Sequence, residues 1–242
     1  MGPGRATSVQ RSRRGGATPA AGSYRHHDRM LTTVTGSLAV VNGLARGLWL
    51  LRAHSRWMGI NLGLALVPLV LAVVLFRGRR GRGVLWWAGL LTFLVFLPNA
   101  PYVLTDVVHF GGDVRTAGSQ RAALFGVLPL YALFILIGME SYTLSLRLLR
   151  QYLTRAGWRR RETAVIAAVH LVCAVGVVVG RVQRLNSWDV LRPARFAAGV
   201  EGAFAHPLLI AATTVAVVLG SVSLEWITGL CGRLVARAPR PV

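Results

Sequence analysis

The chain has 242 residues, 54% of them hydrophobic and only 15% charged, where a soluble domain carries about 25% charge. Its 28 basic residues are all arginine and face eight acids, for a formal net charge of +20. So much apolar surface under so little polar cover excludes an ordinary soluble enzyme and a disordered chain, and predicts an integral membrane protein. A charge this large could point to nucleic acid. The arginines, however, cluster between long apolar stretches, so the expected partner is the lipid bilayer and no nucleic acid is expected.

In chain order, residues 1–30 hold Arg5, Arg11, Arg13, Arg14, Arg25 and Arg29 among Gly, Ser and Pro. They read as a basic, disordered cytoplasmic tail lying near anionic lipid. No clear A-x-A cleavage site follows, so the next apolar segment reads as an uncleaved span. Residues 31–230 read as a single polytopic membrane domain and 231–242 as a short cytoplasmic tail. The candidate spans are 31–51, 58–76, 84–109, 122–146, 163–182 and 203–225, each near the roughly 20 residues that cross hydrocarbon. The first is interrupted by Asn42 and Arg46. The expected fold is therefore all-α, an integral membrane helical bundle of about six transmembrane helices with the third broken at Pro98 and Pro101.

Arginine placement sets the expected direction. The N-terminal tail, the 77–83 loop, the 147–161 stretch and the C-terminal tail hold six, four, six and three arginines. The alternate loops hold eight in all. The bias puts both termini in the cytoplasm.

The third span reads VLWWAGLLTFLVFLPNAPYVLTDVVHF. Pro98 and Pro101 lack amide hydrogens and should leave the carbonyls of Leu94 and Leu97 without helical partners. Asn99 is placed to cap the second half, whose N-terminal dipole would then point into the membrane. Asp106 and His109, three apart, share a helical face and could hold a metal or act as base and orienter. The alternative is a proline kink filled by neighbouring helices, with two interfacial polar residues beyond it.

A second polar stretch, GRVQRLNSWDV, runs from Gly180 to Val190. If the preceding helix continues, Arg181 and Arg184 share a face, with Asn186, Ser187 and Asp189 following. By the arginine count both stretches reach the outer side. They define a candidate outer-face polar site of Asn99, Tyr102, Asp106, His109, Arg181, Arg184, Asn186, Ser187 and Asp189. On the other side, Glu140 and His170 fall at matching depths about 10 Å from the cytoplasmic surface, if adjacent helices run antiparallel. They form a candidate intramembrane pair. Cys173 and Cys231 have no CxxC partner, so no disulfide framework or zinc site is visible, and no cofactor is expected.

LPNAPYVLTDVVHF (97–110) and GRVQRLNSWDV resemble the two hallmark stretches of a bacterial multi-pass family known as domain of unknown function 1361. The resemblance covers most of the chain from about residue 31. It implies an integral membrane protein of the bacterial envelope and no particular activity.

Three functions are compatible with these residues. The first is a structural or accessory envelope protein, which needs only spans and kinks and binds other envelope proteins. The second is a binder or carrier of an ion or anionic lipid headgroup, using the half-helix and the arginines. The third is a membrane-embedded enzyme acting on an envelope lipid, with Asp106 or His109 as base or metal ligand and Arg181 and Arg184 holding phosphate. No HExxH, P-loop, GxSxG or CxxC motif supports chemistry directly.

Overall fold

The computed structural model of the chain describes residues 41, 45, 56–78 and 82–237, with side chains to residue 230. All but residue 41 belong to one compact unit, Asn42–Val242. The basic tail and, apart from residues 41 and 45, the expected first span lie outside the described residues.

Every regular element among the described residues is helical. Helix α1 spans Arg56–Phe76. It is followed by α2 (Val84–Phe96), α3 (Asn99–Tyr102), a 3-10 turn (Val103–Asp106) and α4 (Val107–Thr116). Then come α5 (Gln120–Ala122), a π turn (Ala123–Val127), α6 (Leu128–Arg155) and α7 (Glu162–Val182). A 3-10 turn (Ser187–Leu191), α8 (Pro193–Phe204) and α9 (Pro207–Arg237) complete the order. Among the described residues, five helical runs are long and apolar enough to cross a membrane: Arg56–Phe76, Val84–Thr116, Gln120–Arg155, Glu162–Val182 and Pro207–Leu230.

The surface of these runs explains their setting. Val84, Leu85, Leu91, Leu208, Leu219 and Trp226 are exposed, Leu208 to 85%. In water that pattern would leave each large side chain without the gain from burial, whereas hydrocarbon accepts it freely. The protein is a multi-pass membrane protein with an all-α bundle fold.

The spans differ in extent from the sequence expectation. The third runs to Thr116 and the fourth to Arg155, each past its apolar window. The last starts at Pro207 and not at residue 203. Proline suits a first helical turn, where no amide hydrogen is needed, and α8 ends three residues earlier.

Around Pro98 the helix is interrupted, but the chain does not leave the right-handed region. Leu97, Pro98 and Val103 all keep helical dihedrals. The expected Asn99 cap is absent. Pro98 occupies the cap position, and the Asn99 side chain turns back to donate to the Phe96 carbonyl at 2.9 Å. Leu97, whose carbonyl Pro101 cannot serve, accepts instead from the Ala100 amide at 3.2 Å. Ala100 is thereby diverted from Phe96, which is why that carbonyl is open to the Asn99 amide. The result is a kink with tightened turns, and no free half-helix start points into the bundle.

Small residues on the neighbouring helices receive the kink. A Cβ at Gly176 of α7 would fall 2.6 Å from the Pro98 ring, and one at Gly138 of α6 would fall 2.5 Å from Val103. Gly176 and Gly180 form a G-x-x-x-G pair, the spacing that lets membrane helices approach closely. Helix α7 also packs against α8 and α9, and α6 against α9.

The polar interior is sparse and hydrogen-bonded. Ser141 donates to the Ala65 carbonyl at 2.6 Å, joining α6 to α1. His170 is buried, but Glu140 is not its partner: its Nδ1 lies 2.9 Å from the Tyr142 hydroxyl. Residues two apart on a helix point to nearly opposite sides, so α6 cannot turn both Glu140 and Tyr142 toward α7. About two turns further along α6, toward the arginine-rich end, Arg150 Nη1 sits 3.1 Å from both carboxylate oxygens of Glu225.

Candidate functional site

Three stretches converge at the end of the bundle opposite the 77–83 loop. The first turns of α1 carry Trp57 and Asn61. The kinked run carries Asn99, Tyr102, Asp106 and His109. The end of α7 and the turn after it carry Arg181, Arg184, Asn186 and Ser187. Between them lies a cavity of about 880 Å³ lined by Asn61, Asn99, Tyr102, His109, Arg181, Arg184, Asn186 and Ser187. The rest of its wall is apolar: Leu94, Val95, Val175 and Val179 from the spans, and Phe196, Val200 and Phe204 from α8. Leu171 and Val172, at its membrane-facing side, are each more than half exposed.

Asp106 lies behind two of the lining residues, Asn61 and Arg181. It is 2% exposed, accepts from Asn61 Nδ2 at 3.0 Å and stands 3.7 Å from Arg181 Nη1. A buried carboxylate needs both a hydrogen bond and a counter-charge to remain an ion, and it has one of each. His109 shares the helical face, but its ring packs on Trp57 with centroids 5.3 Å apart. Among the described residues no group of three His, Cys, Asp or Glu side chains could hold a metal.

The expected continuation of α7 through Arg184 fails. The helix ends at Val182, and Arg184 takes φ +53°, the left-handed region that favours glycine. Both arginines still line the cavity.

The turn is secured by reciprocal capping. The Asn186 side chain accepts from the Asp189 amide, and the Asp189 carboxylate accepts from the Asn186 amide at 2.8 Å. Asp189 therefore does not line the cavity. It is buried and paired with Arg192 and Arg195 at 3.8 and 3.4 Å, which ties the turn to α8. Asn99 reaches across from the kink and donates to Ser187 Oγ at 2.7 Å, joining the two polar stretches directly.

Sequence reasoning passed over Asn61 and the α8 residues Phe196, Val200 and Phe204. A lone asparagine inside an apolar span is itself a signal, because an amide in hydrocarbon needs a partner. The α8 residues had no comparable mark. A smaller cavity of about 280 Å³ near the 77–83 loop is walled by Phe76, Trp86, Phe93 and Tyr152. Its one charged neighbour among the described residues, Arg82, is spent on the Tyr152 hydroxyl at 2.8 Å.

No curated protein and no solved structure matches the chain. The family model described as protein of unknown function (DUF1361) matches residues 60–227, which include both polar stretches and every residue of the kink. With well over half of its length matched, the chain belongs to the DUF1361 family.

Proposed function

We propose that the protein binds an anionic amphiphile at the outer face of a bacterial cytoplasmic membrane. The phosphate-bearing headgroup sits at Arg184 and Arg181, and its tail lies along the apolar wall of α7 and α8. The observation that carries this reading is the division of one cavity into a cationic, hydrogen-bonding end and an apolar slot that reaches exposed Leu171 and Val172. Binding sites of this kind combine predominantly apolar walls with a few convergent polar groups. Arginine is suited to phosphate by its fork of donors. The outward placement follows from the arginine bias of the loops, whose richer set lies at the opposite end.

A purely structural role would not call for two arginines converging on a cavity. Asp106, the base an enzyme reading would use, already accepts from Asn61 and pairs with Arg181.

Arg184→Gly tests the reading without threatening the fold, since glycine relieves the φ +53° backbone. Native mass spectrometry of protein purified in mild detergent should find anionic lipid on wild type and at least about tenfold less on the variant. Equal lipid on both, or none on wild type after titration with phosphatidylglycerol, would overturn it.

A further inference from the structure

Resting on that reading, we infer that the cavity is matched to a single negative charge, so that its ligand is the monoanionic phosphodiester of a lipid and not a phosphate monoester. Arg181, Arg184 and His109 line the cavity, and Asp106 stands behind that wall against Arg181. Asp106 has both oxygens engaged, Oδ2 by Asn61 and Oδ1 by Arg181. It compensates Arg181 and leaves that arginine as a positioned donor with little net charge. Arg184 has no carboxylate within ion-pair distance among the described residues. One positive charge is left over. The neighbouring carboxylate, Asp189, is taken by Arg192 and Arg195, whose side chains are 70 and 54% exposed, lie outside the cavity wall and are screened by solvent.

The neutral donors agree with a phosphodiester. Asn99 spends both amide hydrogens, on the Phe96 carbonyl and on Ser187 Oγ. Ser187 is the acceptor in that bond, so its own hydroxyl hydrogen remains to donate. Asn186 uses its side-chain oxygen on the Asp189 amide, and its NH₂ group remains. Arg184, Ser187 and Asn186 thus supply donors for the two non-bridging oxygens of a diester. A monoester carries about −1.5 to −2 charges at neutral pH. Its second charge would be desolvated here against Asp106 with no cation left to meet it.

The test is a titration of purified full-length protein with phosphatidylglycerol and with phosphatidic acid of the same acyl chains, read by native mass spectrometry. At about pH 8 the monoester is essentially dianionic. Wild type should prefer phosphatidylglycerol by about tenfold. Asp106→Asn, which raises the cavity charge by one, should abolish or reverse that preference. Asp106→Asn combined with Arg181→Gln returns the charge to one and should restore it. Phosphatidic acid bound as tightly as phosphatidylglycerol by wild type, with both lost in Arg184→Gly, would overturn the charge match and leave the binding site standing. Binding of either lipid that ignores Arg184→Gly would overturn both. If the Asp106 variants do not fold, the wild-type ratio alone decides. The deacylated headgroup, glycerophosphoglycerol, separates the sources: binding as tight as the lipid's would keep the charge match and remove the apolar slot from the reading.

Discussion

Arg184 adopts a backbone conformation that costs an L residue with a side chain roughly 1–2 kcal/mol relative to the right-handed one. It does so one residue beyond the cap of α7, where glycine is the usual occupant. Strain kept in a residue that lines a cavity invites a functional reading. Arg184→Gly should raise thermal stability in detergent by up to about 1 kcal/mol, followed by circular dichroism, while lipid is lost. Asp106 should behave in the opposite way. Asp106→Ala removes the partner of a half-buried guanidinium and of the Asn61 amide, and should lower stability by about 2–3 kcal/mol in the same assay. Asp106→Asn should cost less, since an amide oxygen still accepts from Asn61. Deeper in the bundle, Tyr142→Phe takes away the hydroxyl beside His170 Nδ1 and should cost about 1–2 kcal/mol without affecting lipid binding.

At the scale of elements, the kink is what brings the polar groups into register. Pro101 diverts the Ala100 amide to Leu97, the Asn99 side chain fills the gap at Phe96, and the same side chain then holds Ser187 across the cavity. Gly176 and Gly138 make room for this bent segment. Gly176→Val would drive a branched side chain into the Pro98 ring and should destabilise by about 1–3 kcal/mol, read as a lower midpoint in thermal unfolding. Because the displaced segment carries Asn99 and Tyr102, lipid binding should weaken as well. A change at Gly63, where nothing approaches within 4 Å of the missing Cβ, should do neither. The presence of the kink was legible from two prolines three residues apart. The way its carbonyls are satisfied was not, since Asn99 could equally have capped the following turn.

For the whole molecule, the arginines divide between two ends. Arg77, Arg82 and the arginine-rich 147–161 segment lie at one end, and Arg155 and Arg82 there reach the Phe76 carbonyl and the Tyr152 hydroxyl. The candidate site lies at the other. If the richer end faces the cytoplasm, a thiol from Arg121→Cys should react with an impermeant maleimide on intact cells, and one from Arg159→Cys only after permeabilisation. The background should carry Cys231→Ser, while Cys173, 1% exposed, can stay. Labelling in the reverse order would place the site on the cytoplasmic side.

The sequence alone determined the fold class, because composition and the length of apolar windows answer directly to the thickness and dielectric of a bilayer. It also marked the two polar stretches, since prolines, carboxylates and arginines inside or beside apolar runs stand out against hydrocarbon. Tertiary structure decided which of those residues meet. Asp106 found Asn61 and Arg181, Asp189 turned away to cap its own turn, and His170 took Tyr142 in place of Glu140. Those choices depend on helix rotation and on a left-handed turn at Arg184. Each is a small angular quantity set by side-chain packing between helices, and spacing along one chain does not encode it.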